Sequence, residues 1–277
     1  MRESDYLPLV EMALREDLGD LGDITSQAVV PDGDRSAVLW SKDEGVLAGE
    51  EVFAAVFRAV DPGVEVGFAL HDGARIARGD RVASLRGRAL SLLAAERTAI
   101  NFLAFLSGIA TATRDLVALA AASGKALILD TRKTLPGFRA LSKYAVTVGG
   151  GTNHRQGLFD KVLVKDNHVD SAGSITAAVE RVRERWGSRF PVEVECRDAR
   201  EVGEALRCGV DMIMLDNMDL KQTRNAVAQV AGKATVEASG KMSRERIGAV
   251  SAAGVDWISV GSITHSVKSF DFSLKIG

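Results

Sequence analysis

Val192-Glu-Val-Glu195, Met212-Ile-Met-Leu-Asp216, Thr235-Val-Glu237 and Trp257-Ile-Ser-Val-Gly261 are short, largely apolar runs that start about twenty residues apart. Between them lie Ala199–Cys208, Leu220–Ala231 and Ser243–Ala253, each with the apolar spacing of a helix. Alternation of this kind predicts a parallel sheet or barrel, because parallel strands must be joined by a crossover, most often a helix. Upstream, Leu127-Ile-Leu-Asp130 and Val162-Leu-Val-Lys165 extend the set, with Ile175–Trp186 as a further helix. Arg132, Lys165, Glu195, Asp216, Ser239 and Gly261 all fall at or just after the carboxyl ends of these strands. In open parallel sheets and barrels that rim is where ligands bind.

The texture before Ala126 differs. An amphipathic helix over Leu7–Glu16 precedes the turn-rich run Asp17–Asp23. Strand-like segments follow at Ala37–Trp40, Gly45–Ala48, Gly63–Gly67 and Val82–Leu85, punctuated by Asp72-Gly73 and Gly79-Asp80. A helical period covers Glu50–Val60. The longest helical stretch, Leu90–Ala121, has an expected interruption at Ser107-Gly108. On it Arg97 and Asn101 are four apart and share a face.

Composition narrows the function classes. The chain has 277 residues, enough for one large domain or two. Acids outnumber Lys plus Arg by 37 to 35 and no long basic tract occurs, so bulk charge does not favour nucleic acid. Only Cys196 and Cys208 are present, with no metal-site spacing and no basis for a disulfide scaffold. No signal-like segment or uninterrupted membrane-length apolar run is evident, and the expected compartment is the cytoplasm.

Local charge says more. Asp130-Thr-Arg-Lys-Thr134 closes one strand, and Gly150–Lys165 places His154, Arg155 and Lys165 around a glycine turn and a second strand. Arginine offers a planar fork for carboxylate or phosphate and lysine a compact point charge, so Arg132, Lys133, His154, Arg155 and Lys165 imply an anionic ligand. The plainer reading is a solvated basic surface, or pairing with Asp130, Asp160 and Asp166. Glu193 and Glu195 share one face of their strand. Glu195 and Asp216, at neighbouring strand tips, suit magnesium beside a polyphosphate, or else merely balance the cations. Ser239-Gly240 and Gly261-Ser262 present backbone N–H groups that could cradle a phosphate. His71 and His265 lack ligand partners, and His168 reads equally as a loop-stabilising structural histidine or a catalytic one.

The chain resembles quinolinate phosphoribosyltransferase, also called carboxylating nicotinate-nucleotide pyrophosphorylase. The matching blocks run in order over nearly the whole length. They include Glu16–Gly19 with Gly22–Thr25, Glu96–Asn101, Ser107–Thr111, Asp130–Thr134 with Pro136-Gly137, Lys143–Val146 and Gly149–Arg155. Lys165–His168, Glu193–Glu195, Leu215–Asn217, Glu237–Gly240 and Ser259–Gly261 complete them. Leu135 and Ser142 depart from the family's usual residues without removing a charged contact. A scaffold relative linked to molybdenum lacks the Asn-His-Arg and Lys-Asp-Asn-His patterns.

The resemblance implies an incomplete α/β barrel of parallel strands over 111–265 and a smaller mixed α/β domain over 1–110, joined by the tail 266–277. It implies transfer of phosphoribosyl from phosphoribosyl pyrophosphate (PRPP) to quinolinate with decarboxylation. Arg132, His154, Arg155 and Lys165 would surround quinolinate, and Arg97 would come from the neighbouring chain of a homodimer or assembly of dimers. Lys133, Ser239, Gly240 and Gly261 would bind PRPP phosphates. Glu195 and Asp216 would stand on the magnesium side, and no organic cofactor is expected. Arg132, Lys133, Lys165, Glu195 and Asp216 are the expected catalytic set. The rivals are a non-decarboxylating transferase acting on nicotinate or another aromatic acid, and a non-catalytic anion-binding barrel.

Overall fold

A computed structural model describes residues Met1–Gly277. Its elements in chain order begin α1 (Leu7–Leu18), α2 (Ile24–Val29), β1 (Asp34–Ser41), β2 (Gly45–Val46) and α3 (Glu50–Val60). Next come β3 (Glu65–Phe68), β4 (Arg75–Ile76), β5 (Arg81–Arg88), α4 (Ala89–Ala121), β6 (Leu127–Leu129) and α5 (Arg139–Val148). The chain continues through β7 (Val162–Val164), α6 (Asp166–Ala172), α7 (Ile175–Trp186), β8 (Val192–Cys196), α8 (Ala199–Arg207) and β9 (Met212–Asp216). It ends with α9 (Leu220–Val230), β10 (Thr235–Ser239), α10 (Arg244–Ala252), β11 (Trp257–Ser259), α11 (Ser262–His265) and β12 (Phe272–Ile276). Two compact units emerge. The first holds Met1–Arg114, Thr134–Gly150 and Ile263–Gly277; the second holds Asp115–Lys133 and Gly151–Ser262.

The second unit carries a six-stranded sheet in the order β6-β11-β10-β9-β8-β7. Every pairing in it is parallel. Val192, Glu193, Val194 and Cys196 of β8 are all buried, as expected where both faces of a parallel strand are covered. The sheet curls. Lys161, just before edge strand β7, puts its Nζ 3.6 Å from Met212 Sδ on β9 and 4.9 Å from the ring centre of Trp257 on β11. Side chains from alternate strands meet only if the inner face is concave, so this is the incomplete barrel.

The first unit is built on an antiparallel sheet in the order β12-β1-β5-β3. The tail thus returns as an edge strand, with Leu39 opposite Leu274. Helix α3 buries Val52, Phe53, Val56 and Phe57. Its first turn is held by the Asp72 carboxylate, which accepts from the Gly49 N–H at 2.9 Å and the Glu50 N–H at 3.2 Å. The Tyr144 hydroxyl donates to the same carboxylate.

Helix α4 corrects one expectation. It runs unbroken through Ser107 and Gly108. The glycine is there for proximity: a Cβ at Gly108 would lie 2.3 Å from the Lys268 carbonyl oxygen. Ser107 is fully buried, and its hydroxyl accepts from the Ala48 N–H at 3.1 Å. The helix is long and apolar enough to cross a membrane by length and composition. Leu92, Leu103, Leu106 and Ile109 are nevertheless fully buried, which makes it a core helix here. Periodicity alone also assigns no element to 139–148, where α5 buries Leu141, Ala145 and Val146.

Candidate active site

The loops after the parallel strands position the polar residues singled out in the sequence. Asp130, fully buried after β6, links two of those loops. Its carboxylate accepts the His154 N–H at 2.8 Å, and its own N–H donates to the Thr152 carbonyl at 3.3 Å. Arg132 and Lys133 follow it directly, while His154 and Arg155 lie on the other loop. Arg155 is 8% exposed as a residue, and its guanidinium donates to the Lys161 carbonyl at 3.3 Å. Burial first, and the charge of Arg132 second, hold Arg155 below the ordinary guanidinium range. Glu193 and Asp160 act in the opposite sense on Arg155, and like charges gathered at a strand end favour an anionic ligand.

His154 is 7% exposed, and its ring faces acids. Nε2 lies 3.1 Å from Glu193 Oε2 and 3.4 Å from Glu237 Oε2, both glutamates being fully buried. Lys161 Nζ is 3.3 Å from the same Glu193 oxygen. Desolvation pushes Glu193 up, but His154 and Lys161 outweigh it and hold the carboxyl low. Desolvation and the neighbouring Glu193 push Glu237 up. For His154, desolvation lowers the pKa while the two carboxylates raise it further, to about 9. Hydrogen bonding points the other way, because the Arg155 N–H already fills the Nδ1 lone pair at 2.7 Å. The approach of Nε2 to the two carboxylates falls short of hydrogen-bond geometry, and Glu237 Oε1 and Oε2 have no hydrogen-bond partner. Donor atoms of His154, Glu193 and Glu237 lie within 4.8 Å of one another, a set able to coordinate a divalent cation.

Lys165 Nζ, half-exposed, is 2.9 Å from Glu195 Oε2. Glu195 sits opposite Met214 in the β8–β9 register, one pleat short of Asp216, so their Cα atoms are roughly 8 Å apart on neighbouring strands. Asp216 is paired in turn with Ser239. Asn217 follows in the left-handed region at φ 55°, donates its side-chain amide to Asp216 at 3.0 Å and its backbone N–H to the Ser239 carbonyl. Gly240, at φ 90°, presses against that amide: a Cβ there would lie 2.3 Å from Asn217 Oδ1. Gly261 closes β11 on the same rim. All these residues belong to the second unit; Arg97 is exposed on α4 in the first.

Two charged groups drew no role from the sequence. Lys161 carries no motif of its own, and Glu237 opens the matching block Glu237–Gly240 without a role assigned to it. Parity was the available signal: Glu237 shares a face of β10 with Ser239, as Lys161 continues the Leu163 and Lys165 face.

Two family models match the chain: the quinolinate phosphoribosyl transferase N-terminal domain over residues 23–107, and the C-terminal domain over residues 109–275. Quinolinate phosphoribosyltransferase [decarboxylating] 1b of Nicotiana tabacum is 39% identical over 291 residues, covering 98% of this chain and 82% of its own length. The chloroplastic carboxylating nicotinate-nucleotide pyrophosphorylase of Arabidopsis thaliana is likewise 39% identical, with 98% and 83% covered. The crystal structure of NadC from Streptococcus pyogenes superposes with a TM-score of 0.96 at 39% identity, covering 100% of this chain and 98% of that one.

Proposed function

The chain belongs to the quinolinate phosphoribosyltransferase family, and from that premise we propose its reaction. The enzyme transfers the phosphoribosyl group of PRPP to the ring nitrogen of quinolinate and releases pyrophosphate, CO2 and nicotinate mononucleotide. The observation that carries this reading is Arg155, buried at the strand-end rim on the loop that Asp130 ties to the one bearing Arg132.

The nitrogen lone pair of quinolinate forms the bond to the anomeric carbon as the bond to pyrophosphate breaks, its electrons leaving on oxygen. Charge builds up on the ribosyl carbon, so catalysis rests on alignment and electrostatics. Arg132, Arg155 and Lys165 hold the dicarboxylate, with the strongest arginine pairing on the carboxylate that is retained. Ribosylation makes the ring cationic. The carbon–carbon bond to the 2-carboxylate then breaks, its electron pair remains beside the positive nitrogen, and a proton replaces the carboxylate. Lys133 and the backbone of Ser239, Gly240 and Gly261 cradle the PRPP phosphates.

The hard oxygen donors of Glu195 and Asp216, on neighbouring strand ends, fit a magnesium ion. When bound, that ion supplies charge neutralisation on the pyrophosphate. Lys165 balances Glu195 meanwhile, as its 2.9 Å contact supports.

A homodimer, or an assembly of dimers, completes the site, with Arg97 reaching the neighbouring chain. Leu158 and Phe159 support this: they are 72% and 75% exposed beside a cavity of about 640 Å³ that Arg155 also lines. Apolar patches of this kind mark contact surfaces. Family relatives do not share one compartment, since the Arabidopsis protein is chloroplastic. For this chain the cytoplasm is our reading, supported by two free thiols.

One assay tests the reaction. Purified protein with magnesium, PRPP and quinolinate should yield nicotinate mononucleotide, pyrophosphate and CO2 together. Turnover of nicotinate with no CO2 from quinolinate points to the non-decarboxylating transferase, and ligand binding without pyrophosphate release to the anion-binding barrel.

A further inference from the structure

We propose that Asn217 is a positioning residue that fixes the Asp216 carboxylate and pins the loop after β9 to the loop after β10. Its backbone sits in the left-handed region at φ 55°, which glycine enters freely and a residue with a side chain only at a cost. Here the side chain is put to use. Its amide Nδ2 donates to Asp216 Oδ1 at 3.0 Å. Its backbone N–H donates to the Ser239 carbonyl at 3.0 Å, one residue beyond the parallel pairing of Asp216 with Ser239. Gly240 supplies the hollow: a Cβ there would collide with the Asn217 amide, which fills the space instead. Arg246, in the first turn of α10, adds a second tie between the same two loops. It donates to the Met218 carbonyl at 3.2 Å and to the Lys241 carbonyl at 3.4 Å.

A carboxylate at a strand end turns about its side-chain torsions, and binding a cation must freeze that freedom. With Oδ1 held by the amide, Oδ2 of Asp216 takes no protein bond and is left to the magnesium side, beside the strand that carries Glu195. A neutral amide suits this role. It orients the acid without cancelling the charge that a cation needs, whereas Lys165 neutralises Glu195 directly at 2.9 Å. The same residue fixes the spacing between Asp216 and the Ser239-Gly240 backbone, so acid and phosphate cradle move as one unit. The inference rests on the proposed reaction in taking Asp216 as a magnesium-side acid and Ser239-Gly240 as part of that cradle.

The test is Mn2+ binding to the full-length protein in the presence of inorganic pyrophosphate, followed by electron paramagnetic resonance. Asn217→Gly keeps the left-handed backbone and removes only the side chain, so its thermal midpoint should stay within about 2 °C of the parent. Its Mn2+ affinity should nevertheless fall about tenfold, the scale of one charge-assisted hydrogen bond. Asn217→Ala should lose the same affinity and also melt lower, because alanine bears the backbone strain without the amide. Parent-like affinity in the glycine variant overturns the proposal, as does an affinity lost only in the less stable alanine variant. Kinetics give a second measure. In Asn217→Gly the KM for PRPP should rise about tenfold while that for quinolinate stays within about twofold. Equal rises for both substrates would mark a general loosening and overturn the assigned role. If the parent takes up Mn2+ with pyrophosphate yet forms no nicotinate mononucleotide, the proposed reaction fails, and the binding data still judge Asn217. If the parent takes up no Mn2+, the magnesium-side reading falls and this inference falls with it.

Discussion

Arg155 concentrates the chemistry into one side chain. Its guanidinium is buried, lies under the influence of Arg132 and is anchored to the Lys161 carbonyl. Arg155→Ala should cut kcat/KM for quinolinate at least about a hundredfold, the scale of losing several kcal/mol of transition-state stabilisation. Arg155→Lys should rescue little, because an ammonium lacks the planar fork. Steady-state kinetics with near-normal values in either variant would remove Arg155 from its role. A second residue reports on stability. Glu201 is buried and accepts four bonds from Arg197, from its backbone N–H at 2.8 Å and from its guanidinium at 3.0, 3.2 and 2.6 Å. Desolvation opposes ionisation, but these bonds win and hold the carboxyl below its ordinary value. A depressed folded-state pKa stabilises the fold above the unfolded value, and that stability fades as pH falls through the folded one. Glu201→Gln should therefore lower the unfolding free energy from urea titration at neutral pH by about 1 kcal/mol, discounted for the half-exposed arginine. The difference should shrink as pH falls below 4; an equal difference at both pH values would refute the linkage.

At the level of elements, the parallel half was plain in the sequence because its signals are local. Ile175–Trp186 and Met212–Asp216 fall where periodicity puts them, α8 and α9 end one residue early, and α10 is one residue shorter at each end. What escaped depends on long-range packing. Gly108 looks like a helix breaker only until the Lys268 carbonyl is seen beside it. That approach reverses a familiar rule. Alanine in a helix interior ordinarily gains about 1 kcal/mol over glycine, whereas Gly108→Ala should lose about 1–3 kcal/mol through crowding. A thermal midpoint at or above that of the parent chain would show the tail yields freely. Helix α5 was illegible for another reason: its motif residues drew attention as a block, not as a period. The candidate site divides in the same way. Strand-end residues such as Lys165 and Asp216 were legible from position alone. The contacts of Lys161 with Glu193 and of Glu237 with His154 became visible only once the sheet had curled.

For the molecule as a whole, the proposed shared site makes a sharp prediction. Arg97→Ala and Arg155→Ala chains should each be nearly inactive, yet mixing them should restore activity. A hybrid dimer carries both lesions in one site and neither in the other, so random mixing returns about a quarter of the parent rate. No recovery, with hybrids shown to form, would place Arg97 outside the partner's pocket. Leu158→Asp should shift sedimentation toward the monomer. The order β12-β1-β5-β3 carries a further consequence for biogenesis. Strand β1 is translated early, whereas its neighbour β12 follows every other element described. Until that strand emerges from the ribosome, the backbone of Ala37–Ser41 on that side has no ladder partner. A nascent chain stalled before Phe272 would thus expose an unsealed, aggregation-prone edge.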